Sequence, residues 1–450
     1  MSTIVAPATT VGRSAVGIIR LSGPDSLSIA RGLIGADFEP QHRSVVFRAL
    51  RDPKSNELLD RALVTYFRAP NSFTGEDVVE ISCHGSPIVI RQIIDFTIYL
   101  GADFAEPGEF TLRALANGKM NLSQAEAIRD LVEARSKSAA QQAVRQLSGE
   151  LSSALAPLKE RLLESIVVLE SALEFEEDDL PPVQIDDVRA RLELVRSGVE
   201  KLAATFSAGH LLSSGLKVAI VGRPNVGKSS IFNALVGLDR AIVTELPGTT
   251  RDCIAEQISV GEIPISLTDT AGLRAAYDPI ETLGIERTRA AMADADIVIL
   301  VLDGSCELTS EDEETLRSVS NSTRAVVINK ADLPSYRNPM VGRAGRIQQG
   351  IKVSALTGEG LDEVRTAILA PFEVTTSDGA GLLVTNARHH ELLSRATSLV
   401  RSSVALLGIE SEEIVLVGLH DALRLLGEIT GETTAEDILS KIFGTFCIGK

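Results

Sequence analysis

Apolar residues recur along this chain with more than one period. In residues 1–118, short β-branched runs such as residues 62–67 and 78–82 lie between Gly/Pro turns. That texture predicts mixed α/β structure. From Leu122 to about Phe206 glycine becomes rare, and Ala, Leu, Glu, Arg and Gln take over. The helical period places Ile128, Leu131 and Val132 on one face, and Leu162, Ile166 and Leu169 on another. An acidic run at 174–179, followed by Pro181-Pro182, breaks the pattern and reads as a solvated turn. Apolar runs at 216–221, 263–267, 297–302, 325–328 and 351–354 predict buried strands. Helical stretches separate most of them, which predicts a largely parallel sheet. Helical texture returns after Thr376, over 387–407, 412–426 and 435–442.

The expected architecture is multidomain, α/β and α. An N-terminal α+β domain covers 1–118. A discontinuous all-α domain covers 119–214 and 376–450. An α/β domain covering 215–375 is inserted into it. There is no internal repeat or low-complexity tract.

Charge narrows the function. The 450 residues hold 44 Lys/Arg and 61 Asp/Glu, a net charge of −17. Such a chain is not coated in phosphate-binding charge. Residues 1–118 hold 11 Lys/Arg against 13 Asp/Glu, 11 − 13 = −2, so this segment tolerates an anionic ligand. Hydrophobic content of 44% excludes a disordered chain. Four cysteines, without metal-ligand spacing, exclude a disulfide scaffold and fit a reducing cytosol. No apolar run approaches the roughly 18 residues of a membrane span, and the N-terminus lacks the charged and apolar regions of a signal peptide. The expectation is a soluble, cytoplasmic protein.

The strongest chemical signal is Gly222-Arg-Pro-Asn-Val-Gly227-Lys228-Ser229, after an apolar run and before the helix-like Ser230-Ile-Phe-Asn-Ala-Leu. This is the context of a phosphate-binding loop. Glycines let the backbone turn its N–H groups, those of Asn225, Val226 and Gly227 among them, toward phosphate oxygens. Lys228 is expected on the β- and γ-phosphates and the Ser229 hydroxyl on Mg²⁺. Asn329-Lys330-Ala331-Asp332 follows a predicted strand. An Asp332 carboxylate accepts from the N1–H and N2 amino groups of guanine, a donor pair adenine lacks. Ser354-Ala355-Leu356 is expected to close over the base. Asp269-Thr270-Ala271-Gly272 ends a strand, with Asp269 holding Mg²⁺ through water and the Gly272 N–H sensing the γ-phosphate. Four elements in this order predict a GTPase.

Catalysis needs help. Leu273 stands where many small GTPases carry a water-orienting Gln. A monovalent cation beside the phosphates would supply positive charge. Asn225 offers it an oxygen, and residues 243–248, ahead of Thr249-Thr250-Arg251-Asp252, offer carbonyls. The alternative is that Asn225 only supports the loop.

Beyond these motifs, the chain carries Gly248-Thr-Thr-Arg-Asp252, Thr3-Ile-Val-Ala-Pro-Ala-Thr and Gly17-Ile-Ile-Arg20-Leu-Ser-Gly23. It also carries Asn71-Ser-Phe-Thr-Gly-Glu-Asp77, Glu106-Pro-Gly-Glu-Phe110 and Phe446-Cys447-Ile448-Gly449-Lys450. In this order, over the whole chain, it resembles the MnmE/TrmE family of tRNA-modification GTPases. The resemblance implies an N-terminal folate-binding domain that forms a homodimer, a discontinuous helical domain and an inserted Ras-like G domain. It implies a flavoprotein partner, MnmG or GidA, which carries the FAD. It implies an aminomethyl-type (carboxymethylaminomethyl) group placed on carbon 5 of the wobble uridine of certain tRNAs. It implies a one-carbon unit from a reduced folate, 5-formyl- or methylene-tetrahydrofolate, and GTP hydrolysis stimulated by potassium.

Carried onto this sequence, the potassium ligands fall on Asn225, Thr244, Leu246 and Thr249, and the Mg²⁺ ligands on Ser229 and Thr250. Ser230, Glu245, Pro247 and Gly248 complete the nucleotide set. The water-orienting glutamate is Glu281, acting through an ordered water. The folate residues are Arg20, Glu80, Lys119 and Lys450. Arg20 and Lys119 would pair with glutamyl carboxylates, and Glu80 would accept from the pterin edge. Cys83-His84-Gly85-Ser86 departs from the His-Gly-Gly form of some members. Cys447 reads as a tail residue near the one-carbon unit, with its chemical role open. His389-His390 reads as a surface pair, because adjacent helical residues point about 100° apart and chelate poorly. The competing functional reading is a GTP-dependent RNA or ribosome assembly switch. That reading calls for a basic RNA-binding domain such as a KH fold, which the sequence lacks.

Overall fold

Alternation along the first hundred residues becomes a six-stranded sheet in the computed structural model of the chain. The structure describes residues 2–10, 12–174, 185–238, 255–261, 263–269, 292–320, 322–337, 350–372, 381–432, 439 and 442–449. It contains two compact units. One is formed by residues 1–132, 144–199 and 392–450, the other by 133–143 and 200–391.

The first unit opens with β1 (Ile4–Pro7), β2 (Val16–Ser22), α1 (Ser26–Ile34), β3 (Val45–Arg51), β4 (Leu58–Phe67) and β5 (Val78–His84). Then come α2 (Pro87–Tyr99), β6 (Asp103–Phe104) and α3 (Glu109–Ala116). The strand order is β3-β4-β5-β2-β1-β6, antiparallel except for β1 with β6. One face buries Val5, Ile19, Leu21, Val64, Val79 and Ile81 against Ile29, Leu33 and Ile93 of α1 and α2. Because side chains alternate across a strand, Arg20 and Glu80 fall on the opposite face.

The helical part contributes α4 (Leu122–Glu133), α5 (Lys137–Leu147), α6 (Glu150–Glu174) and α7 (Ile185–Ala204). Leu162, Ile166 and Leu169 of α6 are buried as their spacing predicts, as are Val188, Leu192, Val195 and Val199 of α7. α4 departs from expectation. Val132 is exposed and Ile128 and Leu131 are half-buried, while Leu122 and Ala125 are fully buried. The reason is tertiary: that small-residue face receives Phe443 and Phe446 from the end of the chain.

The second unit carries α8 (Phe206–Ser214), β7 (Leu216–Val221), α9 (Lys228–Leu238), β8 (Ala255–Val260), β9 (Ile263–Asp269) and β10 (Ile297–Asp303). It continues with α10 (Ser310–Ser318), β11 (Arg324–Asn329), β12 (Ile351–Lys352) and α11 (Leu361–Leu369). The strand order is β12-β11-β10-β7-β9-β8. All neighbours are parallel except β8 with β9. All seven residues of β10 are buried, as a parallel strand covered on both faces requires. β8 was not visible as an apolar run, because its Glu256 and Gln257 are only half-buried at the sheet edge.

After α11 the chain forms α12 (Ala387–Leu406) and α13 (Glu412–Thr430), and α13 packs on α6. The histidine pair at the start of α12 is not a surface pair. His389 is fully buried, and His390 stacks on Phe206, whose ring centroid is 4.3 Å away. Among the described residues no helix is long and apolar enough to cross a membrane, and no group of three His, Cys, Asp or Glu could hold a metal.

Candidate functional site

The nucleotide site lies where the strand order reverses direction around β7, at the carboxyl ends of the parallel strands. A cavity of about 700 Å³ opens there. Pro224, Asn225, Gly227, Lys228, Ser229 and Ser230 line it from one side; Asn329, Lys330, Asp332, Leu333, Ala355 and Leu356 line it from the other. The expected groups from three separate motifs therefore meet in one place.

Local chemistry explains the arrangement. Asn225 adopts a left-handed backbone, φ 64°, which Asn tolerates better than most residues. Gly227 has φ 98°, and a Cβ there would come within 2.2 Å of Asn329 Nδ2. Glycine thus lets the base-reading loop touch the phosphate loop. Asn329 Nδ2 donates to Val226 O at 2.9 Å, while its Oδ1 accepts from the Ala355 N–H at 3.1 Å. One buried amide ties the three loops together. The Ala331 N–H donates to Val353 O. Asp332 Oδ1 accepts from Ser354 Oγ at 2.7 Å, which orients the carboxylate expected to read guanine. Lys228 is buried, and its Nζ donates to Arg223 O at 2.9 Å. Ser229, the residue expected on Mg²⁺, lines the cavity.

Asp303, Arg223 and Asp312 were missed by sequence reasoning. Lys330 Nζ donates to Asp303 Oδ2 at 2.6 Å. Burial alone would raise the Asp303 pKa, but hydrogen bonds from Lys330 and Ser305 hold it below the usual carboxylate value. Arg223 Nε donates to Asp312 Oδ2 at 3.1 Å, and Asp312 also closes the capping box with Thr309 at the start of α10. A Thr-x-x-Asp spacing is a signal for such a cap, but carries none for the link to the phosphate loop.

Asp269 ends β9, where Ile220 of β7 faces it; its side chain is outside the described set. Thr244, Glu245, Leu246, Pro247, Gly248, Thr249, Thr250, Thr270, Ala271, Gly272, Glu281 and Lys450 lie outside the described residues.

A second constellation sits on the N-terminal sheet. Arg20 and Glu80 are directly opposite on β2 and β5. Nε and Nη2 of Arg20 both donate to Glu80 Oε1, at 2.9 and 2.8 Å. The rings of Phe73 and Phe110 lie 5.6 and 5.8 Å from the guanidinium carbon. The pairing changes one expectation. Two groups in contact cannot address opposite ends of an extended folate. Lys119 Nζ donates to Pro70 O at 2.9 Å. The tail reaches this unit too. Gly449 packs on Pro7, which pairs with Ile19 beside Arg20, and Cys447 is exposed two residues earlier. The Cys83 thiol differs: burial, helped by Asp60, pushes its pKa up to about 11.

Sheet order, phosphate loop and a carboxylate placed to read guanine define a P-loop GTPase. Residues 3–119 match the family model described as the GTP-binding protein TrmE N-terminus, and residues 122–447 match the MnmE helical domain. The chain is 42% identical to the tRNA modification GTPase MnmE of Koribacter versatilis, covering 100% of this chain and 99% of that protein. The corresponding protein of Aquifex aeolicus is 41% identical, covering 99% of each. That of Thermotoga maritima is 39% identical, covering 100% of each. The chain belongs to the MnmE family of tRNA-modification GTPases, and it is a GTP hydrolase.

Proposed function

We propose that this GTPase, with a flavoprotein of the MnmG/GidA type, installs a carboxymethylaminomethyl-type group on carbon 5 of the wobble uridine of certain tRNAs. The carrying observation is that a guanine-nucleotide cavity shares its chain with an Arg20–Glu80 pair flanked by aromatic rings. A reduced folate suits the second place: its pterin edge offers donors to a carboxylate, and its rings offer a face to the exposed Phe73. Arg20 and Glu80 then hold one end of the folate. Lys119 and Lys450 serve the glutamyl end. Cys447 works beside the one-carbon unit.

In the nucleotide cavity, Ser229 and Thr250 bind Mg²⁺. Asn225, Thr244, Leu246 and Thr249 bind K⁺, and Glu281 orients the attacking water through a second water. The domains are those read from texture, with the G domain at 215–375. Homodimerisation through the N-terminal sheet draws support from exposed Val45 and Phe47 on β3 and Leu63 on the neighbouring β4. The net charge of −17 supports a division of labour in which the partner's surface holds most of the tRNA. The setting is cytoplasmic.

The test is nucleoside mass spectrometry of bulk tRNA from cells with and without this protein. Loss of the carbon-5 group, restored by the intact gene, is expected. Unchanged nucleosides, with no redundant pathway, would favour a GTP-dependent assembly switch. For the ion, replacing potassium by sodium at constant ionic strength should slow hydrolysis; equal rates would remove potassium from the mechanism.

A further inference from the structure

Gly108, inside the motif at residues 106–110, has no part in the chemistry above, yet it occupies a crowded place. Gly108 caps the N-terminus of α3 with a left-handed backbone, φ 71°. A Cβ added there would lie 2.9 Å from Phe443 O and 3.1 Å from Phe446 Cβ. A backbone carbonyl cannot swing aside as a flexible side chain can. Glycine is therefore required twice, for its backbone conformation and for the space it leaves.

The tail is held from several sides. Phe443 and Phe446 are buried with ring centroids 5.2 Å apart, packed on Leu122 and Ala125. Arg129 Nη1 donates to Thr445 Oγ1 at 2.9 Å. The turn beneath the tail is stiff. Arg113, 5% exposed, donates from Nη2 to Glu109 Oε1 at 2.7 Å and from Nη1 to Glu76 and to Ser2 O. Two residues after Gly108, Phe110 presents its ring to Arg20. One helical turn thus touches the tail at residue 108 and the Arg20–Glu80 site at residue 110.

We propose that Gly108 is a positioning residue: it seats the C-terminal tail, and the shared turn makes tail seating and ligand binding at the Arg20–Glu80 site mutually reinforcing. The ligand half rests on the folate reading above; the seating half does not. Coupling of this kind is reciprocal, so a ligand at Arg20 must protect the tail as much as the seated tail favours the ligand.

Hydrogen exchange of the full chain tests both halves. In Gly108→Ala, a peptide covering residues 442–449 should exchange about tenfold faster or more, because local opening governs its protection. Gly118→Ala is the control: Gly118 also has positive φ, 64°, but nothing lies within 4 Å of its added Cβ. It should leave the tail protected, and GTP turnover should be unchanged in both variants. Phe446→Ala opens the same contact from the tail side and serves if Gly108→Ala does not fold. Wild-type tail protection in a folded Gly108→Ala or Phe446→Ala chain overturns the seat. Equal loss in Gly118→Ala assigns the effect to backbone strain and also overturns it. Saturating 5-formyltetrahydrofolate should slow tail exchange in the wild type and not in Gly108→Ala. Binding without any change in the tail overturns the coupling. Failure of that folate to bind the wild type, seen by calorimetry, overturns the folate reading and the ligand half with it, while the seat stands or falls on the exchange rates.

Discussion

In the nucleotide block, the groups lining the cavity come from loops, and from the start of α9, that follow parallel strands of one sheet. In the N-terminal sheet, Arg20 and Glu80 meet across antiparallel strands, 60 positions apart, and the tail arrives from the end of the chain. The first construction keeps each functional group inside a short motif. The second scatters its groups and joins them by pairing register and packing. A phosphate binds mainly backbone N–H groups at a loop and helix N-terminus, so a contiguous segment suffices. A mixed aromatic and charged ligand needs side chains from several elements at once.

The largest effect that would sharpen this contrast is at the base-reading carboxylate. Asp332→Asn should weaken GTP binding about a hundredfold, since guanine loses its paired acceptor, and should admit xanthosine triphosphate. Titration with both nucleotides checks it. Unchanged GTP affinity would mean that the Ser354–Asp332 bond serves only the fold.

A smaller effect is expected in the N-terminal sheet. Glu80→Gln keeps the shape but removes the charge beside Arg20, and should weaken 5-formyltetrahydrofolate binding about tenfold while leaving GTP turnover unchanged. A lower melting temperature with unchanged folate affinity would make the pair structural, and the contrast between the two sites would lose its second member.

The smallest effect concerns acid. The folded-state pKa of Asp303 lies below its ordinary value, because the bonds from Lys330 and Ser305 outweigh its burial. The stability it contributes is present above the ordinary carboxylate pKa of about 4 and is lost as pH falls through the lower folded value. Asp303→Asn should therefore melt with a shallower acid dependence below about pH 4 than the wild type. Identical acid profiles would show that the Lys330 contact carries no linkage.

Much of this was legible. The continuous apolar run of β10 and the phosphate-loop spacing are local signals, because a covered parallel strand and a glycine-rich loop each impose their chemistry on adjacent residues. The buried stripe of α6 followed from its period alone. α4 and the histidine pair were misjudged because burial there depends on what packs against the helix. β8 was invisible for the reverse reason: an edge strand keeps half-buried polar residues that carry no apolar period.

The sequence alone determined the class of site, since residues 222–229 specify phosphate chemistry and residues 329–332 guanine chemistry, each within a few consecutive positions. Only the tertiary structure decided that Asp303 holds Lys330, that Arg20 faces Glu80 and that Gly108 lies under Phe443. Each is a contact between residues far apart along the chain. Strand register and close backbone approach bring them together, and neither leaves a periodic mark in the sequence.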